Sequence, residues 1–376
     1  MKKTIFLLSL FLVSAVSPSF AEKPLSFLFL ENGSYDDNIY STKDNKQSSG
    51  ISSSQLFAKY FSNIPNTGLD LFAKANVGYN AYTKDSSKND FWNSGLDVML
   101  ENSIFTLKES FIYTSDPASS DLTDRAERMG NVALFEFRTS LEKMFSIGFV
   151  MSDLYDKYVE EKYEYLNRNR WNSGVQLFYN LSPKTSFFVE YLFSSIHYQE
   201  NVNSDSLGNS YIAGVNGQIA PKIKGTAQVS YDQRNYDKEV NGSEKNIDLC
   251  GYLVSITYNP TTKNAVILGG ERKMQETLYG ANRYYVSTEV SMELKQKIYK
   301  KWEASLLVAY ENMNYPVSVN NVERNDDLFK AVPCIEYNFT DYFSAGVWYQ
   351  FRDRQSNVNT EDYTSNKTGA SIKLKF

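Results

Sequence analysis

Few residues in this chain have the types and spacing that catalysis or metal binding requires. His197 is the only histidine, and no nucleophile motif surrounds it in the stretch Ser194–Ile196 that precedes it. A histidine with a serine or an aspartate can support hydrolysis, but a rim position beside Tyr198 explains His197 better. Asp36–Asn38 could contact a divalent cation, although the run is more typical of a solvated acidic loop. We expect no catalytic residue, no metal site and no cofactor, and we predict that the protein is not an enzyme.

Charged side chains instead recur at alternate positions of short segments. Alternation places such a set on one face of a β-strand. A charge facing lipid costs several kcal/mol near the middle of a membrane, so this regular placement favours a water-filled interior. The candidate pore-lining residues are Glu136, Arg138, Glu190, Lys224, Asp232, Arg234, Glu271, Glu289, Glu293, Lys295, Glu303, Lys330, Glu336, Arg352, Lys373 and Lys375. Each could line a selective pore or only hydrate the lumen and pair with charges on the next strand.

The elements that must position these charges are two-faced strands. Between residues 131 and 141 apolar and polar residues alternate, a tight turn follows at Glu142-Lys143, and the alternation resumes from Phe145 to Ser152. Period-two alternation of this kind indicates a β-hairpin with one apolar face. Similar turns are expected at 63–67, 101–103, 182–184, 220–222, 260–263, 297–300 and 340–341.

Longer polar loops separate the hairpins. They are rich in Asp, Asn, Ser, Lys and Glu, which marks them as turn and solvent segments. The predicted loops are 36–49, 83–89, 115–127, 154–167, 200–208, 237–245, 276–282, 314–325 and 353–363. Short turns at one end and longer loops at the other are typical of outer-membrane barrels, with the turns periplasmic and the loops extracellular. We predict an all-β protein: a transmembrane, antiparallel, up-and-down β-barrel of about 18 strands, with 16 to 20 allowed.

The C-terminal strand also indicates a barrel. From Thr368 to Phe376 every second residue is apolar or small, and the positions between them carry Lys373 and Lys375. A terminal Phe resembles the assembly signal of Gram-negative outer-membrane proteins, so we assign that role to Phe376. The high aromatic content of 15% fits girdles at two membrane interfaces. A soluble propeller or sandwich would need a blade repeat or core-facing runs, and no fixed period is visible.

The N-terminus is typical of a secretory signal peptide. Lys2 and Lys3 precede an apolar run from Ile5 to Val16 and the small-x-small site Ser19-Phe20-Ala21. The run is shorter than the roughly 20 residues of a membrane-spanning helix. We therefore divide the chain into a cleaved signal peptide, 1–21, and a barrel domain, 22–376.

Charge and cysteine content narrow the partners. Removing the two leader lysines from the net charge of −5 leaves −7, which argues against nucleic acid. Cys250 is predicted on the lipid face and Cys334 on the lumen face of another strand, so a disulfide is not expected. The expected partners are outer-membrane lipid, lipopolysaccharide, the barrel-assembly machinery and, for an export role, periplasmic export proteins. The expected location is the Gram-negative outer membrane.

Two segments do not fit the pattern of a regular barrel strand. Pro333 falls in mid-strand on the apolar face, and we expect a β-bulge there because proline lacks the ladder donor. The alternation weakens around Gly269-Gly270, which leaves the register of 265–274 open.

The first strand begins almost immediately after the predicted signal peptide, so we expect no plug domain. No loop is much longer than the others, so we expect no inward-folded constriction loop, and about 18 strands should then enclose an aqueous channel.

Two short segments carry a family resemblance. Tyr35–Tyr40 near the start and Tyr349–Asn357 near the end, with Tyr363, Asn366 and the terminal Phe376, resemble the putative β-barrel porin type 2 family of Gram-negative bacteria. The resemblance implies a porin-like outer-membrane channel that passes small hydrophilic solutes or ions, and it supplies no catalytic residue. The first alternative is the outer-membrane conduit of an exopolysaccharide export system. The second is a structural or ligand-binding surface barrel.

Overall fold

Eighteen strands make up almost all of the regular secondary structure in the described residues. The computed structural model describes residues 24–117, 122, 124–200, 203–238, 244–277, 279, 282–318 and 321–376. The predicted signal peptide lies outside these residues. The strands are β1 (Leu25–Asp36), β2 (Ser49–Ile64), β3 (Leu69–Tyr82), β4 (Phe91–Glu101), β5 (Phe105–Asp116), β6 (Ala126–Ser140), β7 (Phe145–Tyr158), β8 (Arg168–Ser182), β9 (Thr185–Tyr198), β10 (Ser206–Ala220), β11 (Ile223–Tyr236), β12 (Asn246–Thr261), β13 (Asn264–Glu276), β14 (Tyr284–Lys297), β15 (Trp302–Asn314), β16 (Asn325–Asn338), β17 (Phe343–Ser356) and β18 (Tyr363–Lys375).

The sheet closes on itself. Each strand pairs antiparallel with the next one in sequence, and β18 pairs with β1 from Leu28↔Lys375 to Asp36↔Lys367. Short turns lie at one end and longer loops at the other, as expected, with a helical turn at Ser86–Asn89 (α1) and 3₁₀ turns at Glu161–Leu166 and Asn359–Glu361. In the described part of the chain, no helix is long and apolar enough to span a membrane. The predicted antiparallel barrel of about 18 strands is confirmed.

The outer surface of the barrel is apolar. Along β11, for example, Val229 is 62% exposed and Tyr231 is also exposed, while the residues between them point inward. Aromatic pairs mark both ends of this surface: Trp302 packs on Tyr337 near the short turns, and Tyr79 packs on Trp92 near the loops. In both pairs the ring centroids are 4.8 Å apart. Such girdles are typical of membrane barrels.

Carboxylates also occur on the outer surface. Glu31 and Glu109 occupy outward positions of β1 and β5. Each is bonded to a neighbouring strand: Ser52 and Ser54 donate to Glu31 at 2.8 and 2.5 Å, and Asn131 donates to Glu109 at 2.5 Å. Charge therefore does not fall on the inner face alone, and these two carboxylates receive protein hydrogen bonds that lower the cost of facing lipid.

The predicted bulge at Pro333 is wrong. Ala331 pairs with Phe351 and Cys334 pairs with Trp348, which is the same register on both sides of the proline. The proline points outward, and β16–β17 lacks pairing only at the intervening positions, so the sheet accommodates the missing donor without an extra residue. The segment that seemed irregular, β13, keeps one register with β14 from Asn264 to Glu276. Both cysteines are free, as expected.

The residues that carry the family resemblance meet where β1 joins β18. Asp36 accepts a hydrogen bond from Ser365, and both carboxylate oxygens of Asp37 accept bonds from Asn366. Asn38 donates through its side-chain amide to the carbonyl oxygen of Thr364 at 3.0 Å. The acidic run thus fastens the barrel seam, and within the described residues no group of carboxylates, histidines and cysteines could hold a metal ion.

Candidate functional site

The inner wall of the barrel carries all of the candidate pore-lining residues. Strand alternation, fixed by the exposed apolar residues between them, places each one on the inner face. Several are paired there: Glu271 with Lys273 at 2.5 Å, and Glu293 with Lys295 at 3.0 Å. Glu336 pairs with Lys373 across β16–β18. Their predicted contribution to selectivity remains a prediction.

His197, by contrast, lies outside the barrel at the loop end of β9. Its side chain is 70% exposed, and its Nδ1 lies 2.5 Å from the Asp205 carboxylate. His197 is on the same outward face of β9 as Val189 and Tyr191. The structure therefore gives the only histidine a rim position beside Tyr198, as the sequence indicated.

Three glutamates stand side by side on the inner wall. Glu271 on β13 is the direct cross-strand partner of Glu289 on β14, and Glu289 is the direct partner of Glu311 on β15. Glu311 accepts a hydrogen bond from Ser287 at 2.7 Å. We call these three carboxylates the acidic row. Like charges directly opposite one another destabilise a sheet, so this row is costly unless something offsets it.

Three cations continue the wall on the next strands. Lys330 on β16 is the direct partner of Arg352 on β17, and Lys367 on β18 lies diagonally across from Arg352, opposite Gln350. We call them the basic cluster. Among the described residues, no carboxylate lies within 4.0 Å of these three side chains, and the buried Nε of Arg352 has no hydrogen-bond partner. Within the described part of the chain, the Arg352 guanidinium donates one hydrogen bond, from Nη2 to the Ser365 hydroxyl at 3.2 Å, and its central carbon lies 5.7 Å from the centre of the Tyr363 ring.

The acidic row and the basic cluster touch at β15 and β16. Glu311 is paired with Leu328, two residues before Lys330, so Glu311 and Lys330 are diagonal neighbours. The Glu289 carboxylate interacts electrostatically with Lys330 as well as with the two flanking glutamates. At the level of Glu289, the inner wall is therefore negative over β13–β15 and positive over β16–β18.

Several charges closer to the loop end are paired, unlike those of the basic cluster. Arg128 is bonded to Asp116 at 2.8 Å and to Asp156, which also contacts Arg168 at 3.4 Å. A second network joins two arginines to Asp326 and Glu361; its members are Arg324, Arg354, Asp326 and Glu361.

Arg324, which precedes β16, is the loop member of that second network. Burial by itself lowers the pKa of the Arg324 guanidinium, but hydrogen bonding to Asp326 and the nearby negative charges raise its pKa overall. The arginine therefore stays charged and helps to fix the loop.

The end of the β13–β14 hairpin folds into the barrel. β13 stops pairing with β12 at Tyr252↔Arg272, although it continues with β14 as far as Glu276. Glu276 then bonds to Arg234 on the inner face of β11, two strands away. Tyr284 stacks on Tyr236 with ring centroids 6.5 Å apart. Since Arg234 and Tyr236 face the lumen, the hairpin end lies inside the mouth.

Hydrogen bonds hold this hairpin end in place. Asn282 pairs with the backbone of Val317, donating to its carbonyl at 3.0 Å and accepting from its N–H at 2.8 Å. Arg283 donates to the carbonyl oxygens of Lys238 at 2.5 Å and Glu244 at 3.0 Å. The segment thus bridges the loops on either side of the hairpin. We call Glu276, Thr277, Asn282, Arg283 and Tyr284 the inner hairpin end.

The expectation of no inward-folded loop is therefore wrong. It rested on loop length, and 276–282 is among the shorter predicted loops. The inward course depends instead on side chains, because Met274 and Tyr284 occupy outward positions yet pack on Tyr236 and Ile247 of the inner face. A short hairpin can narrow the mouth when the outer side of its end is as apolar as a protein core.

Sequence reasoning also missed several inner-face cations. Arg128 belongs to β6, which begins at Ala126, inside the segment predicted as a loop. Arg168 and Arg170 begin β8, where the strand boundary was uncertain. Lys367 could have been found, because the alternation that selects Lys373 and Lys375 also selects it.

Comparisons with known proteins agree with this architecture. Residues 29–376 match the family model described as Putative beta-barrel porin 2. No curated protein matches the sequence. Among solved structures, Acinetobacter baumannii OccAB3 aligns with a TM-score of 0.52 and 10% identity over 95% of this chain and 100% of that one. Pseudomonas aeruginosa OpdL aligns with a TM-score of 0.50 and 11% identity over 95% and 100%. Pseudomonas aeruginosa OccK5 (OpdH) aligns with a TM-score of 0.50 and 12% identity over 94% and 98%. At these identities the similarity shows the fold.

Proposed function

Because the chain belongs to the Putative beta-barrel porin 2 family, we propose that it is a passive channel of the bacterial outer membrane for small hydrophilic solutes. One observation carries the proposal: a closed barrel of 18 strands has a charged inner wall and an apolar outer surface. A barrel of this size leaves an aqueous interior. The inner hairpin end narrows the mouth, so admission depends on solute size and on charges at the narrowed part.

The alternatives have less support. The family match is to porins and gives the exopolysaccharide-export conduit no support. Fold and family are those of channels rather than enzymes. A closed surface barrel that binds ligands through its loops is the remaining competitor, and conductance distinguishes it from a channel.

The proposal includes the route to the membrane. Cleavage of residues 1–21 would release the mature chain to the periplasm. The barrel-assembly machinery would then insert it, with Phe376 as its signal, and lipid with lipopolysaccharide would surround the apolar surface. A periplasmic export partner is not part of this proposal.

Single-channel recording tests the function. The purified barrel, shown to be folded by its different gel mobility before and after boiling, is added to a planar lipid bilayer. Stepwise conductance that is lost after boiling supports the channel. A folded barrel that inserts but carries no current overturns it and favours a closed surface barrel.

A further inference from the structure

We propose that the acidic row and the basic cluster form, where they adjoin, a binding site for a small zwitterionic solute, whose ammonium group contacts Glu289 and Glu311 while its carboxylate contacts Lys330 and Arg352. The inference rests on the proposed channel function and names the class of solute for which the channel is built.

The first argument is the free-energy cost of placing like charges opposite one another when no ligand is bound. Glu289 has a glutamate directly opposite it on both sides, and Lys330 is directly opposite Arg352. Like charges so placed destabilise the sheet, and neutral polar residues would hydrate a lumen equally well. Lys273, paired with Glu271, and Asp36, directly opposite Lys367, offset part of this cost at the two outer ends. Retaining both halves is reasonable if a bound solute supplies the opposite charge.

The second argument is the contrast with the mouth. There Arg128 pairs with Asp116 and Asp156, and Arg324 pairs with Asp326 and Glu361. Arg352 contacts the Ser365 hydroxyl and the Tyr363 ring, and its buried Nε has no hydrogen-bond partner, so its guanidinium retains donors for a carboxylate, the group its planar donors fit best.

The third argument is the juxtaposition of the two halves. Glu311 and Lys330 are diagonal neighbours on the adjacent strands β15 and β16. The negative and positive parts of the wall therefore adjoin, with no neutral strand between them. A simple anion near Arg352 would be repelled by the acidic row, and a simple cation near Glu289 by the basic cluster. A molecule with both charges on neighbouring atoms gains from both halves.

The location favours contact with solute in transit. Two members of the acidic row lie on the β13–β14 hairpin, whose end folds into the mouth: Glu271 is five residues before Glu276, and Glu289 is five residues after Tyr284. A solute that passes the inner hairpin end therefore meets this wall. Half-buried charges in a narrow lumen are screened less than surface charges, so their selectivity survives at physiological salt.

The test compares uptake of two solutes of similar size into liposomes containing the folded full-length barrel. L-alanine is the zwitterion and erythritol is the neutral reference, with protein-free liposomes as background. The variants are Glu289→Gln and Arg352→Gln, with Arg352→Lys as the conservative variant and Ser291→Ala as a control on the same face. Erythritol uptake shows that each variant has folded into an open barrel.

We expect the ratio of alanine to erythritol uptake to fall about fivefold to tenfold in each glutamine variant, as for loss of one charge-assisted hydrogen bond. Arg352→Lys should retain most of the ratio, and Ser291→Ala should leave it unchanged. A ratio unaffected by both glutamine variants overturns the zwitterion site while the channel stands. A ratio lowered by Arg352→Gln but raised by Glu289→Gln also overturns it, in favour of a simple anion site. If neither solute enters through the wild type, the channel function itself fails.

Discussion

Asp37 and Asn366, 329 positions apart in sequence, join the two ends of the sheet. Asn366 donates its backbone N–H to one carboxylate oxygen of Asp37 at 2.7 Å and its side-chain amide to the other at 2.8 Å. The N–H of Asp37 returns a bond to the carbonyl of Asn366 at 3.1 Å. Tyr349 donates to the Asn366 amide oxygen at 2.5 Å. The family-like residues therefore have a structural role at the seam.

The first prediction is that Asp37→Ala weakens this seam. Hydrogen bonds to charged groups contribute roughly 1.5–3 kcal/mol when buried, and this pair is only partly buried, so we expect a loss of about 1–3 kcal/mol. The measurement is the temperature at which the folded gel band disappears. Asp44→Ala is the control, since Asp44 is exposed in the same loop. Equal unfolding temperatures for the two variants would contradict the role of Asp37.

The second prediction separates assembly from stability at Phe376. Its side chain is 64% exposed, but its backbone exchanges two hydrogen bonds with Phe27, at 3.2 and 3.0 Å. Phe376→Ala keeps those bonds, so the variant refolded in detergent should melt like the wild type. Its outer-membrane level in cells should nevertheless fall, with periplasmic aggregates. Normal surface levels would show that the ring is not an assembly signal.

The third prediction tests strand facing with two neighbouring residues. Gln228 points inward and Val229 outward on β11. Gln228→Lys should insert normally and shift ion selectivity towards anions. Val229→Lys should reduce insertion, because a lysine facing lipid costs about 2–4 kcal/mol near the midplane. Insertion yield and bilayer reversal potential are measured for both, and similar behaviour would refute the facing assignment.

The fourth prediction concerns the inner hairpin end. Replacing Asn282 and Arg283 together by alanine removes bonds to Val317, Lys238 and Glu244. Each neutral bond contributes roughly 0.5–1.5 kcal/mol, so the hairpin end should lose several kcal/mol of anchoring and leave the lumen part of the time. Single-channel conductance should rise and fluctuate more. Lys88→Ala, at an exposed position of the α1 turn, should match the wild type. An unchanged conductance for the double variant would mean that this hairpin does not limit flow.

How far the sequence predicts this structure depends on the range of the interactions involved. Alternation along a strand is local, so the facing of residues such as Gln228 and Val229 follows from sequence alone. Register between strands is not local. The pairing of Glu271 with Glu289 and of Lys330 with Arg352 depends on where each turn begins, and boundaries inferred from sequence are uncertain by a few residues.

The inner hairpin end shows the same limit more strongly. Arg234 and Glu276 are 42 positions apart in sequence, and β12 lies between their strands. Neither residue is unusual in its own segment. Only the closed barrel brings them together. Alternation along each strand therefore identifies the residues of the inner wall. Which of them lie next to one another, and so form the acidic row and the basic cluster, depends on how the strands pair.

The pairing of β1 with β18 also has a consequence for synthesis. Every strand except these two pairs only with its immediate neighbours in sequence. One edge of β1 therefore stays unpaired until β18, the last strand of the chain, is available. A chain cut short at any earlier strand keeps two open edges, which invite pairing with other chains. Closure at Asp37 and Asn366 thus acts as a check on completeness, and a truncated product is destined for aggregation or proteolysis rather than for a leaky pore.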